Sequence, residues 1–290
     1  PICQMVHDEQ VLTETKTVGY SPDDEYNIWY NGKLVRGTLN TFNYKKFIGS
    51  SWLGFFENYI IPSVEHRIQY NTPITSVTYS ADEVLLASET QNFIADKVIL
   101  TCPVSLLKNN EIQFNPPLPK AKQEALDKVT MWDGFKAFFE FEQKFYPAFI
   151  DYVIRPETDG QVSLYDASWG QESDRHVLGL FSVGKPAEAY RNLDDTAFKK
   201  RLLTELDVMF EGQATKHYIK HITHSWSSEA YAQGAYISDY AKPKTVSRLQ
   251  KPVKNTLYFA GDAYTNGLDW GNVHNAVQSA SESVLNLLNH

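Results

Sequence analysis

Apolar residues recur along this chain at two spacings, and the spacing assigns the elements. Trp52, Phe55, Phe56 and Tyr59 fall three and four apart behind Ser50 or Ser51, which predicts a capped helix to about residue 61. Pro62 then ends or interrupts it before residues 64–68. Strands are predicted at 26–30, before the Asn31-Gly32-Lys33 turn, and at 75–79, 83–88 and 97–101. In the last of these, Val98-Ile99-Leu100 is a continuous apolar run closed by Pro103, the pattern of a strand buried on both faces. A short helix follows at 104–108, then an extended Pro-rich stretch at 112–119. The helix expected at 120–129 carries Ala121, Ala125 and Val129 on one side. Strands are expected at 135–141, 162–167, 177–183, 218–226 and 257–260, a helical turn at 187–190, and helices at 196–210 and 273–288. Asp194 or Asp195 is placed to cap the 196–210 helix.

Strand-and-helix units stand at both ends, and the middle reads as a mixed sheet with helices on it. This predicts an α/β protein of mixed α+β character in which the chain leaves one domain and returns to it. Residues 1–46 are read as strands and turns of a substrate domain continued by 103–240. Residues 47–102 and 241–290 are read as a partial Rossmann-like cofactor domain.

Composition narrows the function classes. The 290 residues are 42% hydrophobic and 13% aromatic, enough for one large or two interleaved folded domains. The formal net charge of −8, without a Lys/Arg run, disfavours a nucleic-acid partner. Two cysteines, Cys3 and Cys102, form no CxxC pair, so a disulfide framework is not expected. No stretch of membrane-spanning length is free of charge, and no leader opens the chain at Pro1; a cytoplasmic protein is the expectation.

The strongest local chemistry lies near the end. Leu257-Tyr258-Phe259-Ala260 is a buried strand that runs into Gly261 and Asp262, and a turn-rich link leads to Gly271-Asn272-Val273 at a helix start. Free N–H groups and the positive end of the dipole at that start suit an anionic ligand such as a dinucleotide or flavin. An ordinary βα connection with Asp262 in solvent has the same pattern. Lys136 sits among aromatics in a strand. It is either buried and available to hold a water or tune a redox centre, or it faces solvent from an edge strand. His217 and His221 share a strand face that His224 does not, and no Cys or HExxH supports them, so no metal site is expected. Gly49-Ser50-Ser51 is no nucleophile elbow, Asp23-Asp24-Glu25 is no calcium loop, and neither GxGxxG nor GxxxxGK[ST] occurs.

Several segments, in order, resemble the flavin-containing amine oxidases, the family of monoamine, polyamine and L-amino acid oxidases. They are Asn71-Thr72-Pro73-Ile74-Thr75-Ser76-Val77, Val98 to Pro103, Ile112-Gln113-Phe114-Asn115-Pro116-Pro117-Leu118-Pro119, Gly134-Phe135-Lys136 with Phe145-Tyr146, Trp226, Gly234-Ala235-Tyr236, and Ala260-Gly261-Asp262. The resemblance covers about residues 47–290. It implies that FAD is held by the Ile74 backbone at the adenine end, by Gly261 and Asp262 at the ribityl–pyrophosphate part, and by Gly271 and the Val273 N–H at the flavin. Trp226 would pack by the ring, and Lys136 would be the catalytic residue, holding a water at flavin N5. Tyr236 would form one wall of the substrate cage. Asn272 stands where many members place the second aromatic wall, and Ala235 where monoamine oxidases carry the flavin-linking cysteine, so FAD would be non-covalent.

In the family a βαβ unit with GxGxxG precedes these segments. The resemblance therefore implies a cofactor site open at its phosphate edge, and a chain that by itself holds FAD poorly. The implied activity is oxidation of an amine or amino acid C–N bond to an imine, with dioxygen or another acceptor taking the electrons. Two other readings stay open. One is a fragment or scaffold that binds no FAD and performs no catalysis. The other is a flavoenzyme like the phytoene desaturases or protoporphyrinogen oxidases.

Overall fold

The computed structural model describes residues 16–20, 24–37, 45–153 and 156–289. Cys3 and most of the 21–25 turn lie outside them. The chain divides into two units, each assembled from separated stretches. One comprises 68–132 and 226–289; the other comprises 133–225 and the described residues before 68.

The second unit is built on a seven-stranded sheet in the order β14-β10-β13-β12-β11-β2-β3. These strands are β2 (Tyr26–Tyr30), β3 (Lys33–Arg36), β10 (Gly134–Phe141), β11 (Phe149–Tyr152), β12 (Gly160–Asp166), β13 (His176–Gly184) and β14 (Tyr218–Ser225). Neighbours run antiparallel except β11 and β2. A two-stranded ribbon, β1 (Thr17–Gly19) with β4 (Lys45–Phe47), belongs to the same unit.

The alternation along β10 explains the layering. Phe135, Ala137, Phe139 and Phe141 are buried on one face. They pack with Ala187, Tyr190, Phe198, Leu202, Leu206 and Ala214, which come from α5 (Lys185–Arg191), α6 (Asp195–Met209) and α7 (Gln213–His217). Asp194 caps α6, accepting from Ala197 N at 2.8 Å. Lys136, Phe138 and Glu140 occupy the opposite face.

The predicted first helix is present, with α1 (Trp52–Phe55) capped by Ser51. A single π stretch (Phe56–Ile60), α2 (Ile61–Val64) and a 3₁₀ turn (Glu65–Arg67) continue it. Pro62 does not end it, because Pro falls in the first turn of α2, where its missing N–H costs nothing.

The first unit holds a four-stranded sheet, β7-β6-β5-β9, and a parallel pair, β15-β8. Its strands are β5 (Ile74–Tyr79), β6 (Val84–Ser88), β7 (Asn92–Ala95), β8 (Val98–Leu100), β9 (Gln113–Asn115) and β15 (Leu257–Phe259). Its helices are α3 (Val104–Lys108), α4 (Lys120–Lys128), α8 (Pro243–Gln250) and α9 (Val273–Leu288). Val77, Val84, Leu100, Val104, Ala125, Leu249, Leu257 and Phe259 form its core.

Two expectations are corrected here. Only Leu100 of the β8 apolar run is buried; Val98 and Ile99 are half-buried, because β15 is the one described strand paired with β8. On α4 the inward residues are Lys122, Ala125 and Leu126, and Ala121 is exposed.

Lys122 is 5% exposed. Its Nζ donates to the Leu249 carbonyl at 2.6 Å and lies 3.6 Å from the centroid of the Phe259 ring. Burial, with no carboxylate partner among the described residues, pushes the ammonium down to about 7. Between pH about 7 and about 10 the unfolded chain holds this proton and the folded one does not. The Lys122 contribution to stability therefore rises with pH across that window, by about 1.4 kcal/mol per pH unit at most. Denaturant unfolding at a series of pH values is expected to show that Lys122→Met flattens this slope.

Candidate functional site

In the first unit β15 ends at Phe259, and the chain turns at Gly261, whose φ of +146° lies outside the usual range of L side chains. Asp262 follows. Burial pushes its carboxyl above the usual range, and hydrogen bonds from its own and the Ala263 backbone N–H offset part of that. The loop closes on itself, with Gly271 N donating to the Asp262 carbonyl at 3.2 Å.

Gly271 has φ +83°, and a Cβ there would lie 3.2 Å from the Tyr236 ring. Tyr236 in turn meets Trp132 edge-on, with centroids 5.8 Å apart. Gly271, Tyr236 and the Asp262 turn are thereby drawn together.

Asn272 caps α9 in a capping box, accepting from the Asn275 N–H while its own N–H donates to Asn275 Oδ1 at 3.1 Å. Its Nδ2 donates to the Trp270 carbonyl at 3.3 Å. The Asn272 side chain is thus committed to the helix end. The N–H groups of Val273 and His274, first and second in α9, have no acceptor among the described residues, and they sit at the positive end of a 16-residue helix.

A cavity of about 110 Å³ is lined by Thr101, Cys102, Met131, Gly234, Asp262 and Tyr264, among others. A larger one of about 510 Å³ has Ile74, Leu86, Val98, Leu100, Glu111 and Tyr231 in its walls and shares Thr101 and Cys102 with the first. The structure therefore brings Ile74, Gly261 and Asp262 to two adjoining cavities. Trp226, 46% exposed at the start of a 3₁₀ turn, lines neither.

A dinucleotide is a ligand that this donor set would suit. Glycine turns at positive φ, a half-buried carboxylate and orphan helix N–H groups are what a ribityl, phosphate or carbonyl oxygen needs, so the residues present fit such a group. Tyr264 was not singled out from the sequence. It is buried, lines the smaller cavity and donates to the Cys102 carbonyl at 2.8 Å. Ser279 and Ser283 were also missed; four apart on α9, they mark the face turned to β15.

Lys136 belongs to the second unit. β10 is flanked by β13 and β14, so Lys136 is not on an edge strand. Its Nζ lies 5.0 Å from the Phe181 ring centroid and 5.8 Å from that of Tyr165, and burial lowers its pKa. The histidines do not converge. His217 ends α7 and meets Glu142 at 3.3 Å, whereas His221 meets Asp195 at 3.0 Å. No metal-holding cluster occurs among the described residues.

The sequence profile of flavin containing amine oxidoreductases matches residues 41–285. The chain belongs to this family. It is 25% identical over 205 residues to lysine-specific histone demethylase 1B of Mus musculus, covering 68% of this chain and 25% of that protein. It is 30% identical over 194 residues to polyamine oxidase 3 of Oryza sativa subsp. japonica, covering 65% and 38%. The chain thus spans well under half the length of these relatives.

Putrescine oxidase with bound putrescine shares the fold at a TM-score of 0.68 and 18% identity, over 85% of this chain and 54% of that one. Cyclohexylamine oxidase from Brevibacterium oxydans IH-35A does so at 0.64 and 17%, over 80% and 51%. The mixed α/β architecture is that of this family's Rossmann-like and substrate domains. No helix among the described residues is long and apolar enough to cross a membrane.

Gly271→Ala is expected to cost about 1–2 kcal/mol, because the left-handed φ and the Tyr236 ring both resist a Cβ. Thermal unfolding of the variant reads this directly, and an unchanged midpoint would show that the loop relaxes freely.

Proposed function

We propose that this chain carries the substrate domain and part of the cofactor domain of an FAD-dependent amine oxidase. The observation that carries the reading is the Gly261–Asp262 turn facing a cavity, with unpartnered N–H groups at the start of α9 beyond its loop. FAD, when bound, supplies the acceptor for the two electrons and hydrogen lost as an amine C–N bond becomes an imine, and passes them to dioxygen or another acceptor.

The residues of this chain would bind and orient. The Ile74 backbone and the Gly261–Asp262 turn would hold the nucleotide side. The Val273 N–H would face a carbonyl oxygen at the flavin end, with the α9 dipole favouring negative charge there. Lys136 Nζ would hold a water by hydrogen bonding from a site where burial lowers its pKa. Tyr236 would offer an aromatic wall to the substrate. With Ala235 at the position of a linking cysteine, the cofactor would be non-covalent. The substrate would be a small amine or amino acid.

Stopped-flow absorbance on the protein expressed from its complete gene tests this. The wild type is expected to be yellow and to lose its flavin absorbance when mixed anaerobically with an amine. Lys136→Met should slow that loss by roughly 100-fold or more, the scale of one removed proton-handling group. An unchanged rate would remove Lys136 from the chemistry. A colourless protein that takes up no FAD would leave the scaffold reading.

A further inference from the structure

We propose that Trp132 is a positioning residue. It holds the Tyr236 ring against Gly271, so that one aromatic contact sets both the substrate wall and the loop that closes the cofactor turn. This rests on the amine oxidase reading above, in which Tyr236 meets the substrate and Trp132 acts through it.

The backbone brings these residues together. Trp132 N donates to the Tyr236 carbonyl at 2.9 Å, and Ala235 N donates to the Trp132 carbonyl at 2.8 Å. Met131 bridges to Ile237, and Ser238 N donates to the Thr130 carbonyl at 2.9 Å. From the Asp262 loop, Trp270 Nε1 donates to the Ile237 carbonyl at 3.2 Å. Residues 235–238 are thus tied both to 130–132 and to the end of that loop, all within the first unit.

These bonds fix the Tyr236 backbone and leave its ring to turn about χ1 and χ2. Ring contacts supply the rest. The Trp132 indole is 3% exposed and meets the Tyr236 ring at 65° with centroids 5.8 Å apart. That is the edge-to-face arrangement that aromatic quadrupoles favour. Tyr240, an exposed side chain, meets the same indole at 80° and 5.9 Å, so Trp132 is itself held. At Gly271, three atoms of the Tyr236 ring lie 3.2 to 3.7 Å from where a Cβ would stand. Glycine admits the ring that closely, and Gly271 N closes the loop on the Asp262 carbonyl at 3.2 Å. Every one of the backbone bonds survives a change of the Trp132 side chain, so the indole can be tested by itself. The same contacts would also serve packing alone, which is the structural use to be separated.

Fluorine NMR of the wild type carrying 3-fluorotyrosine, expressed from its complete gene, reads the clamp without altering the indole. A held ring gives two resonances, one for each flip state, and a freely turning ring gives one. The Tyr236 signals are those lost in Tyr236→Phe. Two are expected from the wild type and one from Trp132→Met. The second readout is steady-state oxidation, per bound FAD, of whichever of benzylamine, octylamine and spermine the wild type oxidises fastest. Trp132→Met should raise KM roughly 3- to 10-fold at unchanged kcat, the scale of one edge-on aromatic pair. Trp132→Phe keeps a ring edge and should recover most of that loss. In a Tyr236→Leu background Trp132→Met should add nothing to KM. A single Tyr236 resonance in the wild type, an unchanged KM in Trp132→Met, or a loss confined to kcat with a lowered unfolding midpoint would each overturn the proposal. If Trp132→Met does not fold, the wild-type spectrum and Trp132→Phe still decide it. Two Tyr236 resonances in a protein that oxidises none of the three amines would sustain the clamp while refuting the amine oxidase reading.

Discussion

The site in the first unit depends on how buried carbonyls at the end of β15 are satisfied. A three-residue strand leaves acceptors that its parallel partner β8 cannot all meet. Two serines on α9 supply donors. Ser283 Oγ bonds the Phe259 carbonyl at 2.9 Å, and Ser279 Oγ bonds the Tyr264 carbonyl. Ser279 Oγ also accepts from Gly261 N at 3.2 Å. Both serines are buried, so each unmade bond would cost about 1–3 kcal/mol. They fix the axial position of α9 against the strand, and with it the distance from the Asp262 turn to the helix start. The Tyr264 hydroxyl extends the same network to the Cys102 carbonyl, at the cavity wall.

The second unit is organised by one alternation. Every odd residue of β10 from 135 to 141 is buried against helices. Register then obliges Lys136 to the other face, where no helix of the described core competes for it. Its neighbours across the ladder are Phe181 and His224, so its ammonium meets aromatic surface. Burial lowers its pKa.

Much of this was legible in the sequence where the period was strong. The α9 start at Val273, the α3 span and the 26–30 strand match their predicted limits, because apolar spacing and turn residues agree there. Ser51 and Asp194 were readable as caps by residue type. The short strands β7 and β9 and the helix α8 were not, since a three- or four-residue strand has too few positions to show a period, and α8 opens on Pro243 within polar sequence. The inward turn of α4 was misread because Lys122 is the buried residue, and a lysine that points inward breaks the binary pattern. Asp262 and Gly261 were visible as a motif. Tyr264, Ser279 and Ser283 act through carbonyls of other segments, which spacing along the chain does not reveal. The commitment of Asn272 to capping needed the structure, because Asn is equally a cap and a ligand.

The turn at Gly261–Asp262 and the start of α9 would together form one end of a flavin site. FAD titration by quenching of flavin fluorescence tests it most directly, on the protein expressed from its complete gene and on its Asp262→Ala variant. One FAD per wild-type chain is expected, with an affinity roughly 10-fold or more weaker in the variant, the scale of one charged hydrogen bond. Equal affinity in the two proteins, or no binding by the wild type, would contradict it.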